Sequence, residues 1–355
     1  MDEMRLIREF RAGIESESGR VEAEARARLL EEMAGNIRHR SLGLLRLPLA
    51  AGVAAAALAV ALIVPQLGGG DGASDAEAAE ALSRLGEIAA SQPLPGYAAT
   101  GADEEEADGY RYVHTQSAAF DPRSSSESGE AAEMIFDEEI WVGPDGSGRI
   151  LTHAPEGRGG GTSDTRFGPD QPCEDPNPEK PNCNLLTYID FSSYPTEPDE
   201  LFAAIENEAA QGIEEDIANG IEPGDKDFLM FQILGHLLGQ PAPAELRAGL
   251  YEVAARIPGI ELLGEVSDPL GRSGIGFALT AEGEISVCCP GSGEPHDTSR
   301  RLELIFDPST SQLLALTQTT KLLEPSDEIP DGMGSGWTAY LESGIVSSTE
   351  ERPAD

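Results

Sequence analysis

Cysteines, histidines and carboxylates are where chemistry could sit in this 355-residue chain, and their spacing argues for structure before catalysis. The four cysteines are Cys173, Cys183, Cys288 and Cys289. An even count in an oxidising compartment points to disulfides, with three pairings open. Cys173 and Cys183 bracket EDPNPEKPN, a proline-rich loop that a bond between them would close. The adjacent Cys288 and Cys289 can form only a strained ring with each other, so crossed pairing to 173 and 183 stays open. Neither pair has Cys-x-x-Cys spacing and only His296 lies close, which disfavours a zinc centre. His114 alternates with tyrosines in YRYVHTQ and reads as a packed or hydrogen-bonded histidine. His236, among Phe231, Ile233, Leu234 and Leu237, reads as a core or boundary residue.

The acidic run DEEEAD at 103–108 lacks the spaced oxygen ligands and turn glycine of a calcium loop. There is no G-x-S-x-G elbow, Walker loop, H-E-x-x-H, or G-x-G-x-x-G opening a helix. Carboxylates are too numerous for one acid–base pair to stand out. The chain therefore reads as a non-enzyme with no cofactor and no metal.

Residues 47–67, LPLAAGVAAAALAVALIVPQL, determine how everything else is arranged. At about 1.5 Å per residue, 21 helical residues span about 30 Å, one hydrocarbon thickness. Arg38, His39, Arg40 and Arg46 precede the run, whereas Asp71, Asp75 and Glu77 follow it, with no base until Arg84. The positive-inside rule places residues 1–46 in the cytoplasm and the remainder outside, a single-pass plasma-membrane topology. A cleaved signal peptide is the competing reading, and both its n-region and its apolar run would be too long. Residues 1–46 carry nine arginines and nine carboxylates, so the whole net charge of −40 falls on the exterior part. Such a charge excludes nucleic acid as its partner and keeps the domain soluble.

Before the span, Leu6, Ile7, Phe10 and Ile14 share one helical face, and Val21, Ala25, Leu29, Met33 and Ile37 recur every four residues. Two short amphipathic helices cannot bury these stripes alone. A cytoplasmic protein docked on Leu6, Phe10, Leu29, Met33 and Ile37, or the inner leaflet itself, would cover them.

Beyond a linker at 68–78, an exterior domain is expected over 79–345, with a disordered tail at 346–355. A helix is predicted through Ala79, Leu82, Leu85, Ile88 and Ala89. Strands follow at YRYVHTQ, EMIFDEEIWVG and GRILTH, and residues 155–184 read as a long irregular loop. Three helices start at Pro198, near Phe228 and near Pro243. From Ile260 the period returns to two through RLELIFD, QLLALTQTTKLL and GWTAYLESGIV, with Asp307–Ser311 as a turn. The expectation is α+β: a mostly antiparallel sheet, flat or curved, with helices on one face.

Several segments resemble a family of uncharacterised actinobacterial single-pass membrane proteins often encoded beside extracytoplasmic-function sigma factors. They are Met1–Ile14, the second Arg/Ala/Leu-rich helix and the span; Glu139-Ile140-Trp141-Val142 with Asp145–Arg149; Tyr194–Asp199; Leu246–Tyr251 through Pro258-Gly259; Asp268 with Gly271-Arg272; and Leu304–Pro308 before Leu313-Leu314. The resemblance implies a membrane-anchored regulator, anti-sigma-like, with an exterior sensing domain. The His-x-x-x-Cys-x-x-Cys signature of zinc-binding anti-sigma domains is missing, so bare amphipathic helices would grip the sigma factor. The alternative is a membrane-tethered exterior module that binds an apolar or lipidic ligand and has no sigma-factor role.

Overall fold

The computed structural model describes residues 75–92, 109–120, 133–154, 161–168, 191–218, 224–285, 296–324 and 335–353. The chain divides into two units, Met1–Leu67 and Gly68–Asp355, and every described residue belongs to the second. Leu6, Phe10, Leu29, Met33, Ile37, the 47–67 run, the 103–108 run and all four cysteines lie outside the described residues. Among those described, no helix is long and apolar enough to cross a membrane.

Nine strands form one sheet: β1 Tyr110–Phe120, β2 Glu133–Val142, β3 Gly148–His153, β4 Thr162–Phe167, β5 Glu261–Ser267, β6 Ser273–Ile285, β7 His296–Phe306, β8 Leu313–Leu322 and β9 Gly336–Val346. The helices are α1 Asp75–Ser91, α2 Pro198–Ala218, α3 Lys226–Leu238 and α4 Ala244–Ala254. The architecture is α+β. The sheet runs β4-β3-β2-β1-β9-β8-β7-β6-β5, with every neighbouring pair antiparallel, and it is uncurled. The last strand, β9, is inserted between β1 and β8 and joins two meanders, β1–β4 and β5–β8.

Alternation decides which side chains face the helices. Phe277 and Leu279 of β6 and Leu302, Leu304 and Phe306 of β7 point one way, into a core with Leu82, Leu85, Leu201, Ile205, Phe228, Phe231, Leu234, Leu246 and Leu250. Burying each such side chain contributes about 1.5–3 kcal/mol before entropy is counted. Asp225 starts α3 as its N-cap, accepting from the Phe228 N–H at 2.8 Å, a bond worth about 1 kcal/mol. Gly86 of α1 lets that helix approach α4 closely; a Cβ there would lie 3.2 Å from Tyr251 Cβ.

Four expectations are corrected. β4 falls inside the stretch expected to be irregular: TSDTRF has no apolar alternation because it is an exposed edge strand. α1 begins at Asp75, within the expected linker. His236 is exposed, because α3 buries Phe228, Phe231, Leu234 and Leu238 and turns position 236 outward. Residues 347–353, expected as disordered tail, lie across the sheet face opposite the helices, held by polar contacts with β2–β4.

Candidate functional site: a cleft where the sheet forks

β8 and β9 pair only over Ala315–Gln318 and Gly336–Ala339. From there β9 follows β1 to Val346 and parts from β8. Each strand carries an extra residue at the parting: Leu314 at the β7–β8 register shift and Leu341 at the β1–β9 shift. A fork in a sheet strands backbone carbonyls that a neighbouring N–H would otherwise satisfy. Here a side chain supplies the donors. Arg272 donates from Nη1 to Tyr340 O and from Nη2 to Leu314 O, both at 2.8 Å, bridging the two prongs.

The β5–β6 turn holds Arg272 in place. Asp268, its side chain fully buried, accepts from Arg272 Nε at 2.6 Å and from the backbone N–H groups of Leu270 and Arg272 at 2.9 and 2.8 Å. Gly271, at φ 82°, supplies the left-handed turn that folds the arginine back over the aspartate. A planar guanidinium can serve a carboxylate and two carbonyls at once, which a lysine cannot.

The fork opens into a cleft of about 60 Å³ lined by the end of α3, Arg247 of α4, Arg272, the β7–β8 turn and Tyr340–Ser343. That space is large enough and polar enough to hold water. In the β7–β8 turn, Asp307 accepts from Ser309 N at 2.7 Å and Ser309 Oγ at 2.6 Å, which holds its carboxyl below the usual range although burial opposes this. The turn ends at Ser311, a non-glycine residue at φ 59° that is 3% exposed. Its Oγ is buried against the cleft with no hydrogen-bond partner among the described residues. A strained residue with an orphaned hydroxyl is the kind of local cost that collects at functional sites.

Two tyrosines frame the cleft. Tyr251 donates its hydroxyl to Ser311 O from within the core, and burial pushes its pKa far up. Tyr340 is pushed up to about 12 by burial and packs on Gly239, where a Cβ would come within 2.4 Å of the ring. Arg247, 4% exposed, donates from Nη2 to Ala89 O at 3.4 Å and to Gln92 O, at the C-terminus of α1. Gln92 Nε2 in turn donates to Ser309 O at 2.8 Å. The cleft thus offers arginines, amides, a hydroxyl and open strand edges, groups suited to holding a small polar molecule.

Arg247, Tyr251, Asp268, Arg272 and Asp307 all lie in segments the sequence had singled out, yet the sequence did not bring them together. Asp268 with Gly271-Arg272 was the available signal, and Ser311 was placed only as the end of a turn. His114 is hydrogen-bonded as expected, its Nε2 3.2 Å from both oxygens of Asp137. Among the described residues no group of three His, Cys, Asp or Glu side chains could hold a metal ion.

No protein family, no curated protein and no solved structure matches this chain. The resemblance to the sigma-factor-linked family therefore rests on the quoted residues alone.

Proposed function

We propose that this chain is a single-pass plasma-membrane regulator, anti-sigma-like, whose exterior α+β domain senses a ligand or envelope state at the forked cleft. Residues 1–46 hold a cytoplasmic sigma factor through Leu6, Phe10, Leu29, Met33 and Ile37, and residues 47–67 cross the bilayer. The observation that carries the sensing half is the tie from cleft to α1: Arg247 lines the cleft and donates to the last carbonyls of α1. Seven residues of sequence separate α1 from the apolar run. Because the tie is at the C-terminal end of α1 and the apolar run precedes its N-terminal end, occupancy of the cleft would be relayed along the 17-residue helix.

A pull-down from the host with residues 1–46 tests the cytoplasmic half, with the Leu29→Asp/Met33→Asp double variant as control. Recovery of a sigma factor by the parent segment alone supports the regulator. An empty pull-down from a segment shown to be helical removes the sigma-factor role. The second reading then takes over: a tethered exterior binding module, favoured by the orphaned Ser311 hydroxyl in the cleft.

A further inference from the structure

The face of β1–β4 opposite the helices carries a site of a different kind. Tyr112 and Trp141 pack there with ring centroids 5.0 Å apart, and the Arg149 guanidinium stands 5.2 Å from the centre of the Trp141 ring. Glu139, two residues before Trp141 on β2 and opposite His114, has a side chain 3% exposed and accepts from Tyr112 Oη at 2.8 Å. Across this face runs the segment Ser347–Pro353.

The contacts read the segment residue by residue. Arg149 Nη1 donates to Thr349 O and to Glu350 Oε2, both at 3.0 Å, while Asp164 fixes the arginine from behind at 2.8 Å. Trp141 Nε1 donates to Glu351 O at 2.7 Å. Arg352 then enters the buried end and donates bidentately to both oxygens of Glu139, each at 2.7 Å. Two carbonyls are recognised by fixed donors, one carboxylate by an arginine and one guanidinium by a buried acid. This is the composition of a peptide-recognition groove, with an aromatic platform, a positional backbone grip and a charged specificity pocket.

The grip is also exchangeable. Arg352 is 60% exposed, and Arg166, which assists on Glu350, is 57% exposed. The Arg166–Glu350 pair, exposed on both sides, contributes about 0–1 kcal/mol, so the 349–350 part of the segment is weakly held and Arg352 in the Glu139 pocket is its main anchor. Nothing in the contacts requires the segment to be covalently continuous with β9, because every recognised group belongs to residues 349–352.

We propose that this face is a docking groove for a Glu-x-Arg segment of a partner protein, and that residues 347–353 are its resident occupant, displaced when the partner binds. The partner's arginine takes the Glu139 pocket, and its glutamate pairs with Arg149. The chain's net charge of −40 favours approach of an arginine-bearing segment at low salt. This proposal is independent of the cleft and of the sigma-factor reading.

The test uses the full chain in detergent and a fluorescein-labelled peptide of sequence SSTEERP, read by anisotropy. In the Arg352→Gln variant the resident segment is weakened and the groove is intact, so the peptide should bind at least about tenfold tighter than to the parent chain. A peptide with alanine in place of its arginine should lose at least about tenfold, and adding Glu139→Gln should remove that difference. Arg352→Gln leaves the buried Glu139 carboxylate without its cation, so the variant should melt below the parent, and binding is read at a temperature where circular dichroism shows it folded. Arg352→Gln protein that is folded at the assay temperature yet shows no binding up to about 1 mM peptide, or binds a scrambled peptide equally well, overturns the proposal. So does sedimentation showing that the variant pairs with its own copies while ignoring the peptide.

Discussion

Replacing Arg272 by methionine keeps the length of the side chain and removes everything it bridges. The structure sets the expected loss. Tyr340 O and Leu314 O each lose a donor at 2.8 Å, and an unsatisfied carbonyl costs about 1–3 kcal/mol, less where water in the cleft can reach it. Asp268 keeps its two backbone N–H donors but loses its cation while remaining fully buried; breaking a buried pair from one side costs about 3–5 kcal/mol. Taking the low end of the carbonyl cost as already part of that figure, the expected destabilisation is about 4 kcal/mol. For a domain of this size, about 2–4 °C per kcal/mol converts it to a fall in Tm of about 8–16 °C. Arg272→Lys keeps the charge beside Asp268 but cannot reach both prongs, so about half the loss should remain. Urea denaturation in a Trp141→Phe background reads the fork directly, because Trp337 then reports alone and pairs with Thr317 inside the short β8–β9 joint. A loss below about 1 kcal/mol for Arg272→Met, or equal losses for methionine and lysine, would refute the view that this side chain closes the fork.

Tyr251→Phe removes the bond to Ser311 O from a fully buried ring; chemical denaturation should show a loss of about 1–2 kcal/mol. Ser311→Gly relieves the φ of 59° and removes the orphaned hydroxyl, so stability should stay level or rise by about 1 kcal/mol; a clear loss would mean the hydroxyl has a partner. Burial alone would raise the Glu139 pKa, but its bonds from Arg352 and Tyr112 outweigh this and hold the carboxyl below its ordinary value. Its contribution is therefore present above the unfolded carboxylate pKa of about 4.3 and lost as pH falls through the folded value; Glu139→Gln should flatten that part of the stability–pH curve. Leu250→Ala, at the centre of the helix–sheet core, should cost about 2–5 kcal/mol in the same denaturation assay.

How much of this was legible in the sequence follows from where the information lies. Helices α2, α3 and α4 show in the spacing of Leu201, Ile205 and Ala209, of Phe228, Phe231 and Leu234, and of Leu246, Leu250 and Val253, because burial of one stripe forces that spacing. Strands β6–β9 show in their alternation, and the Asp307 turn shows in its residue types. β4 does not show, because an exposed edge strand has no buried face to write into its sequence. Residues 347–353 read as a tail because ion pairs and a tryptophan N–H hold them, and apolar burial does not. The fork was illegible for a stronger reason. It arises from two register shifts, at Leu314 on β8 and Leu341 on β9, and a one-residue slip leaves no local mark on composition.

The topology explains why the cleft and α1 are mechanically linked. β9 joins the two meanders through four residue pairs, with Arg272 as the remaining bridge beside the cleft. The β7–β8 turn forms one wall of that cleft and is tied to α1 twice, through Gln92 to Ser309 and through Tyr251, whose Cβ packs on Gly86 while its hydroxyl holds Ser311 O. Arg247, on α4 at the cleft wall, also holds the end of α1 through Ala89 O and Gln92 O. A molecule that widened the fork would have to move the turn or strip Arg272 of its carbonyls, and a moving turn carries the end of α1 with it. The close packing at Gly86 leaves little slack to absorb such a displacement, because packed interiors respond by shifting between arrangements and do not deform smoothly. That linkage between the cleft and the end of α1 is what the proposed sensing role requires.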